Sequence, residues 1–222
     1  MQDNVKLLLF AIFLGLILVH PIMLNKYMQS QNKKENKQTE AQNLENNQTA
    51  YFAGGCFWCM EPVFDVIDGV IDTTVGYMGG KSDTANYQDV SSGRTNHFEA
   101  IKVTYNPEKV SYRTLVDAFW RSIDPTDTDG QFADKGRHYQ TAIFVTSESD
   151  RKIIEESIQA LLKVKNYDRP IATKKLPVST FYEAEEYHQN YYQKNSFQYN
   201  AYKVGSGRAS YLKKNWGKST DK

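Results

Sequence analysis

The order of elements legible in the sequence is β-α-β-β-α-β, which predicts an α+β sandwich: a mixed sheet with helices packed on it. Three observations carry this. Apolar residues alternate or cluster in short β-branched runs at Val70–Tyr77 and Phe98–Tyr105. They recur at helical spacing at Met60, Val63, Phe64 and Ile67, and again at Leu115, Phe119 and Ile123. Turn signals mark the joints, at Gly54-Gly55, Gly79-Gly80, Asn106-Pro107 and Asp124-Pro125.

Taken in order, Tyr51-Phe52-Ala53 reads as a first strand, and two glycines turn the chain into a helix. A second strand follows at Val70–Tyr77. Residues 81–97 are polar and read as a long loop. Phe98–Tyr105 is the third strand. Ser111 is placed to cap the next helix, which Asp124-Pro125 ends. A fourth strand is expected from Tyr139 to Thr146. A long helix should then turn Ile154, Ile158, Leu161 and Leu162 inward. The pattern is the split βαβ, ferredoxin-like arrangement. The Tyr-rich tail from Leu176 to Trp216 is expected to pack over the sheet.

This domain should occupy residues 50–210, with 211–222 as a C-terminal tail. Leu7 to Leu24 is apolar except for His20 and Pro21, preceded by Lys6, and suits a signal peptide or signal anchor. No small-x-small cleavage site follows, so an uncleaved membrane anchor over residues 1–24 is expected. Residues 25–49 are Asn, Gln, Lys and Glu, a disordered polar linker. Lys26, Lys33, Lys34 and Lys37 beyond the segment argue against export. The expectation is nonetheless a catalytic domain on the extracytoplasmic side, periplasmic or at the cell surface. The net charge of +1 leaves no nucleic-acid footprint. Two cysteines are too few for a disulfide scaffold or a four-thiolate zinc site.

Both cysteines lie in Gly54-Gly55-Cys56-Phe57-Trp58-Cys59. Cys56 falls at a helix N-terminus, where unpaired N–H groups and the helix dipole favour an anion, so its thiol is expected to lose its proton easily. The bland alternative is a buried hydrophobe or an inert disulfide. Glu99 shares parity with Ile101, Val103 and Tyr105 on its strand and so points to the apolar side. There it is either a desolvated carboxyl that stays protonated and can donate a proton, or a strand-end residue bent back to solvent. His138 and His188 are candidate bases for a Cys–His pair. Asp134–Tyr139 reads as a polar loop entering a strand. Phe181–Gln189 reads as a solvated helix face.

Gly54-Gly55-Cys56-Phe57-Trp58 resembles the signature of the A-type peptide methionine sulfoxide reductases. The resemblance continues through Thr74-Val75-Gly76-Tyr77, Tyr87, and Thr95-Asn96-His97-Phe98-Glu99. It runs on through Asp124-Pro125-Thr126, Asp134-x-Gly136-x-x-Tyr139, Phe181-Tyr182-x-Ala184-Glu185 and Tyr187-His188-Gln189. It implies an oxidoreductase that repairs proteins by reducing methionine (S)-sulfoxide, free or in proteins, to methionine. Cys56 is then the nucleophile, and Phe57 and Trp58 are walls around the substrate methyl group. Glu99 is the proton donor, Tyr87 and Tyr139 are hydroxyl donors to the sulfoxide oxygen, and Asp134 supports them. The resemblance implies no metal or organic cofactor, with oxidised proteins or peptides and an external thioredoxin-like dithiol reductant as partners; separately, a monomer is expected.

This chain departs from many members in carrying Cys59 and in lacking cysteines near its C-terminus. Cys59 is therefore expected to resolve the Cys56 sulfenic acid as a disulfide. The rival readings are a thioredoxin-like disulfide oxidoreductase, and a tethered binding domain stapled by Cys56–Cys59.

Overall fold

The structure, a computed structural model, describes residues 46–217 together with 23, 25–29, 31 and 33. The expected anchor lies outside the described residues except for Met23. Of the stretch expected to be a linker, residues 25–29, 31 and 33 are helical, and Gln48 and Thr49 already belong to the first strand. This N-terminal helical piece is a unit separate from the domain that begins at Asn47. No helix among the described residues is long and apolar enough to cross a membrane.

The domain runs β1 (Gln48–Gly54), α1 (Phe57–Asp65), β2 (Val70–Met78), α2 (Tyr87–Ser91), β3 (Phe98–Tyr105) and α3 (Tyr112–Ser122). A small hairpin of β4 (Gly130–Gln131) and β5 (Asp134–Lys135) follows, then β6 (Thr141–Val145) and α4 (Glu148–Val164). The chain closes with β7 (Lys174–Pro177), β8 (Phe181–Glu183), α5 (Tyr191–Lys194), α6 (Ser196–Gly205) and α7 (Arg208–Trp216). The large sheet has the order β7-β6-β1-β3-β2-β8. All neighbours are antiparallel except β6 and β7. Its four central strands are those expected from sequence, each β-α-β unit split by an inserted strand.

Alternation sorts the side chains. Ala50 and Phe52 of β1, Ile101 and Val103 of β3, and Ile143 and Val145 of β6 join Leu115, Phe119 and Trp120 of α3 and Ile154 of α4 in the main core. The opposite face gathers Ala53, Phe98, Ala100, Ala142 and Phe144. Ser111 does cap α3, its hydroxyl accepting from Thr114 N–H at 3.1 Å. The Trp120 indole donates to Ser157 at 2.8 Å and ties α3 to α4.

Four expectations need correction. The stretch 81–97 is not loop throughout: α2 starts at Tyr87, capped by Asn86, whose side chain accepts from Asp89 N–H at 3.0 Å. The fourth strand begins at Thr141, because Arg137–Tyr139 forms a 3-10 turn. Leu162 is 45% exposed, while Leu161 and Ile154 carry the buried stripe of α4. The tail extends the sheet rather than only covering it, with β7 at one edge and β8 at the other.

Candidate active site

Strand β1 delivers the backbone to Gly54-Gly55, where it turns into α1. Gly55 has a φ of 83°, a conformation side chains rarely adopt. A Cβ on Gly54 would lie 2.3 Å from the Met60 sulfur. A side chain there would have to push the end of the Met60 side chain aside, and the turn at Gly55 sets Cys56 immediately before the helix. The Cys56 carbonyl accepts Cys59 N–H at 3.0 Å, closing a tight first turn with both cysteines on one side. Both are free thiols, 5% and 3% exposed.

Glu99 is on the apolar side of β3, as its parity requires, and only 2% exposed. Its Oε2 accepts the Phe57 N–H at 3.0 Å. A free N–H at the start of α1 is therefore taken by a carboxyl rather than by the thiol. Burial nonetheless pushes Glu99 up to about 8, with the charges of Asp134 and Cys59 adding to it and the Phe57 N–H opposing.

The Cys56 thiol is consequently not acidified. Burial, the Cys59 sulfur and the Glu99 carboxyl push it well above the ordinary thiol value, while the Tyr202 hydroxyl pulls the other way. The expectation of an acidified thiol at a helix N-terminus fails because the site is desolvated and shared with Glu99. Cys59 moves in the opposite direction. The hydrogen bond from Cys56 lowers it against its burial, and Arg208 and Lys203 help. Within the pair, the proton stays on Cys56 and negative charge is favoured on Cys59.

The expected hydroxyls surround these groups. Tyr87, at the start of α2, and Tyr139, in the turn before β6, are both raised by burial first and then by the charges of Glu99 and Cys56. They stay protonated and can only act as neutral donors. Asp134, half-buried in β5, accepts from the Tyr202 hydroxyl.

Phe57 is 1% exposed and Trp58 half-buried. Trp58 stacks on Tyr191, with ring centroids 3.9 Å apart and planes 10° apart. Its indole N–H donates to His188 Nδ1 at 3.1 Å, which fixes the ring. His188 is thus spent on Trp58 and lies 5.0 Å from Phe57 and 4.5 Å from Tyr87, ring to ring. His138 packs on Tyr139 at 4.0 Å. Burial lowers both imidazoles, so neither is charged by its surroundings. The groups that bear on the Cys56 thiol are Cys59, Glu99 and Tyr202, and the Cys–His pair is not formed.

The stretch expected to be a solvated helix face is instead a clamp. Glu185 accepts from Tyr87 N–H at 2.9 Å and from the Tyr77 hydroxyl at 2.8 Å. The Gln189 amide bonds both the N–H and the carbonyl of Val75, each at 2.9 Å. Together they hold α2 and the Trp58 wall against β2. Two residues escaped the sequence reading altogether. Tyr202 of α6 meets Trp58 edge-on at 6.1 Å. Arg208, 2% exposed, donates to the carbonyls of Gly54 at 2.8 Å and Ser122 at 2.7 Å. Among the described residues, no three His, Cys, Asp or Glu side chains group as metal ligands.

Comparison with known proteins agrees with this constellation. A family profile described as peptide methionine sulfoxide reductase matches residues 48–220. The peptide methionine sulfoxide reductase MsrA of Bacillus licheniformis is 43% identical over 177 residues, covering 80% of this chain and 98% of the relative. That of Ligilactobacillus salivarius is 46% identical over 168 residues, covering 76% and 97%. Reduced Mxr1 of Saccharomyces cerevisiae superposes with a TM-score of 0.62 at 34% identity, over 69% of this chain and 88% of that one. Methionine sulfoxide reductase A of Corynebacterium diphtheriae gives 0.58 at 32% identity, over 68% and 76%. With its Gly-Cys-Phe-Trp turn, its buried carboxyl and these relatives, the chain belongs to the peptide methionine sulfoxide reductase family.

Proposed function

We propose that the chain reduces the S epimer of methionine sulfoxide, free or in proteins, with Cys56 as nucleophile and Glu99 as proton donor. The observation that carries this is Glu99, buried beside Cys56 and pushed up to about 8, so that it is a carboxylic acid at neutral pH. The Cys56 sulfur attacks the sulfoxide sulfur. Glu99 gives its proton to the sulfoxide oxygen, and Tyr87 and Tyr139 donate hydrogen bonds to the same oxygen. The S–O bond of the substrate breaks and the hydroxyl ends on Cys56 as a sulfenic acid. Methionine leaves, and the thiol proton restores Glu99. Phe57 and Trp58 flank the methyl group, Trp58 being held flat by Tyr191 and His188.

Cys59 then attacks the Cys56 sulfur, releasing water and forming a disulfide. Its support is the S–H to S contact with Cys56 and the cations that favour its thiolate. An external thioredoxin-like dithiol restores both thiols by exchange. Every group in this scheme comes from one chain, which supports a monomer as the working unit. We place the domain outside the cytoplasm, tethered through residues 7–24, on the strength of their apolar run.

Cys56→Ser in the full chain should abolish turnover of the S sulfoxide with a chemical dithiol, and the parent should leave the R form. Turnover that survives the substitution, or equal use of both epimers, overturns the assignment. One equivalent of substrate followed by an alkylating quench should leave no free thiol and no added oxygen. A free Cys59 beside a sulfenic acid removes Cys59 from the scheme. Protease added to intact cells should cut within residues 25–49, and protection there until lysis puts the domain on the cytoplasmic side.

A further inference from the structure

Glu61 of α1 is fully buried, and the scheme above gives it no part. It follows Trp58 by three residues, and Asp65 follows it by four, so the three side chains share one face of the helix. Each meets the segment that enters α5. The Trp58 ring stacks on Tyr191 at 3.9 Å. Glu61 Oε1 accepts the Asn190 N–H at 2.9 Å. Asp65 Oδ2 accepts from the Tyr192 hydroxyl at 2.7 Å. Asp65 is exposed, whereas Glu61 is closed to water, where a hydrogen bond is not easily exchanged. Asn190 is also where the segment bends. Its backbone is left-handed, φ 55° and ψ 33°, a conformation that persists only where the surroundings fix it. On one side of it, Gln189 is tied to Val75 through both ends of its amide. On the other side comes Tyr191.

We infer that Glu61 is a positioning residue for the substrate wall: by holding the Asn190 N–H it sets Tyr191 under Trp58, and so sets the width of the slot that takes the sulfoxide methyl group. The inference rests on Trp58 being a wall around that group. Tyr191 covers one face of the indole, with planes 10° apart, and His188 holds the indole N–H at 3.1 Å. The substrate is left the other face. A Tyr191 that drifts lets the indole tilt back, and the slot widens. Glu61 acts through Asn190 and Tyr191, not on the sulfoxide. One carboxyl oxygen makes the contact, and Oε2 has no hydrogen-bond partner among the described residues. A glutamine therefore supplies the same acceptor.

The test compares methionine (S)-sulfoxide with its S-ethyl analogue, ethionine (S)-sulfoxide, in steady-state turnover with dithiothreitol. The parent should prefer the methyl compound in kcat/KM by about tenfold or more, the usual discrimination for one methylene. Glu61→Ala should raise KM for the methyl compound about tenfold, keep kcat within about threefold, and lose most of the methyl preference. Glu61→Gln should restore both. Tyr191→Ala should lose the same preference, and adding Glu61→Ala to it should change little. Near-ultraviolet circular dichroism checks folding. If Glu61→Ala does not fold, Glu61→Leu, which keeps the volume without the acceptor, is read in its place. A second readout needs no turnover. With ¹⁵N-labelled tryptophan, the Trp58 indole resonance, assigned through Trp58→Phe, should move in Glu61→Ala while those of Trp120 and Trp216 stay. A folded variant with an unmoved Trp58 resonance overturns the inference, and so does an unchanged KM and methyl preference. A purely structural Glu61 would lower stability and leave all three as they are. If the parent reduces neither sulfoxide, the reductase reading fails, and the resonance still decides whether Glu61 sets the ring.

Discussion

Glu99 and Glu61 are both buried against helix α1, and both are raised from the usual 4.5, to about 8 and about 7. Burial is the first cause in each case. Glu99 meets α1 at its start, where Oε2 accepts the Phe57 N–H, among the side chains of Cys56, Cys59, Asp134 and two tyrosines. Glu61 belongs to α1 itself, one turn on, and is fully buried. Its Oε1 accepts the N–H of Asn190 at 2.9 Å, and its Oε2 has no hydrogen-bond partner among the described residues. Asn190 holds a left-handed backbone, φ 55°, and leads directly into Tyr191, the ring under Trp58. The two carboxyls are thus raised for the same reason but face different neighbours. Titratable side chains around Glu99 suit the proton donor proposed above, while a backbone amide on Glu61 makes a fastener. A raised carboxyl alone does not identify a catalytic acid.

The largest separation of the two should come from turnover. Glu99→Gln should lower S-sulfoxide reduction on the order of a hundredfold, with substrate affinity retained, because the amide cannot give up a proton. Steady-state kinetics check this, and a rate within about twofold of the parent would dissolve the distinction. The same carboxyl sets an alkaline limit. The parent's kcat should fall as pH rises through about 8, where Glu99 loses its proton, and this limb should be missing in Glu99→Gln. A pH–rate profile with the limb unchanged in the variant assigns it to another group.

Glu61 should instead report through stability. Glu61→Ala removes a fully buried side chain and takes away the acceptor of the Asn190 N–H, and should cost about 1–3 kcal/mol in denaturant unfolding. Turnover at saturating substrate should stay within about threefold. A hundredfold loss of rate in this folded variant would make Glu61 part of the chemistry. The smallest effect concerns pH. A carboxyl raised in the folded state keeps its proton where the unfolded chain has lost it. Its contribution to stability is present in full below the unfolded value of 4.5 and is lost as pH rises through the folded value of about 7. The parent should therefore lose stability between about pH 4.5 and 7, and Glu61→Gln should flatten that part of the curve, read as midpoint against pH.

The positions of Cys56 and Glu99 were legible because each obeys a local rule. Two glycines beside a helical repeat place Cys56 at the turn, and strand parity alone aims Glu99 inward. What the thiol does there was misjudged, since a helix N-terminus is one vote among several and the Phe57 N–H goes to Glu99. Helix α2 left a signal that went unread: Asn86-x-x-Asp89 is a reciprocal cap, with the Asn86 amide also donating to Asp89 at 2.8 Å. Strands β7 and β8 are four and three residues long and have no alternation to read. Leu162 fits a helical period counted from Ile158, but the stripe that meets the sheet passes through Leu161. Tyr202 and Arg208 were beyond reach for another reason. Their partners, Asp134 and Trp58 for the first and Gly54 for the second, are remote in sequence, and one chain without its fold cannot pair them.

Arg208 has a consequence for the order in which the enzyme comes into being. Its guanidinium joins the end of β1 to the end of α3 through the carbonyls of Gly54 and Ser122. Tyr202, a few residues earlier, bonds Asp134 and packs edge-on against Trp58, two residues after Cys56. During synthesis from the N-terminus, the glycine turn, Cys56 and Glu99 all leave the ribosome long before these two residues do. The nascent chain therefore carries its glycine turn before Arg208 is there to pin it. The reductase matures only when α6 and α7 dock, so its last segment works as a built-in timer on its first.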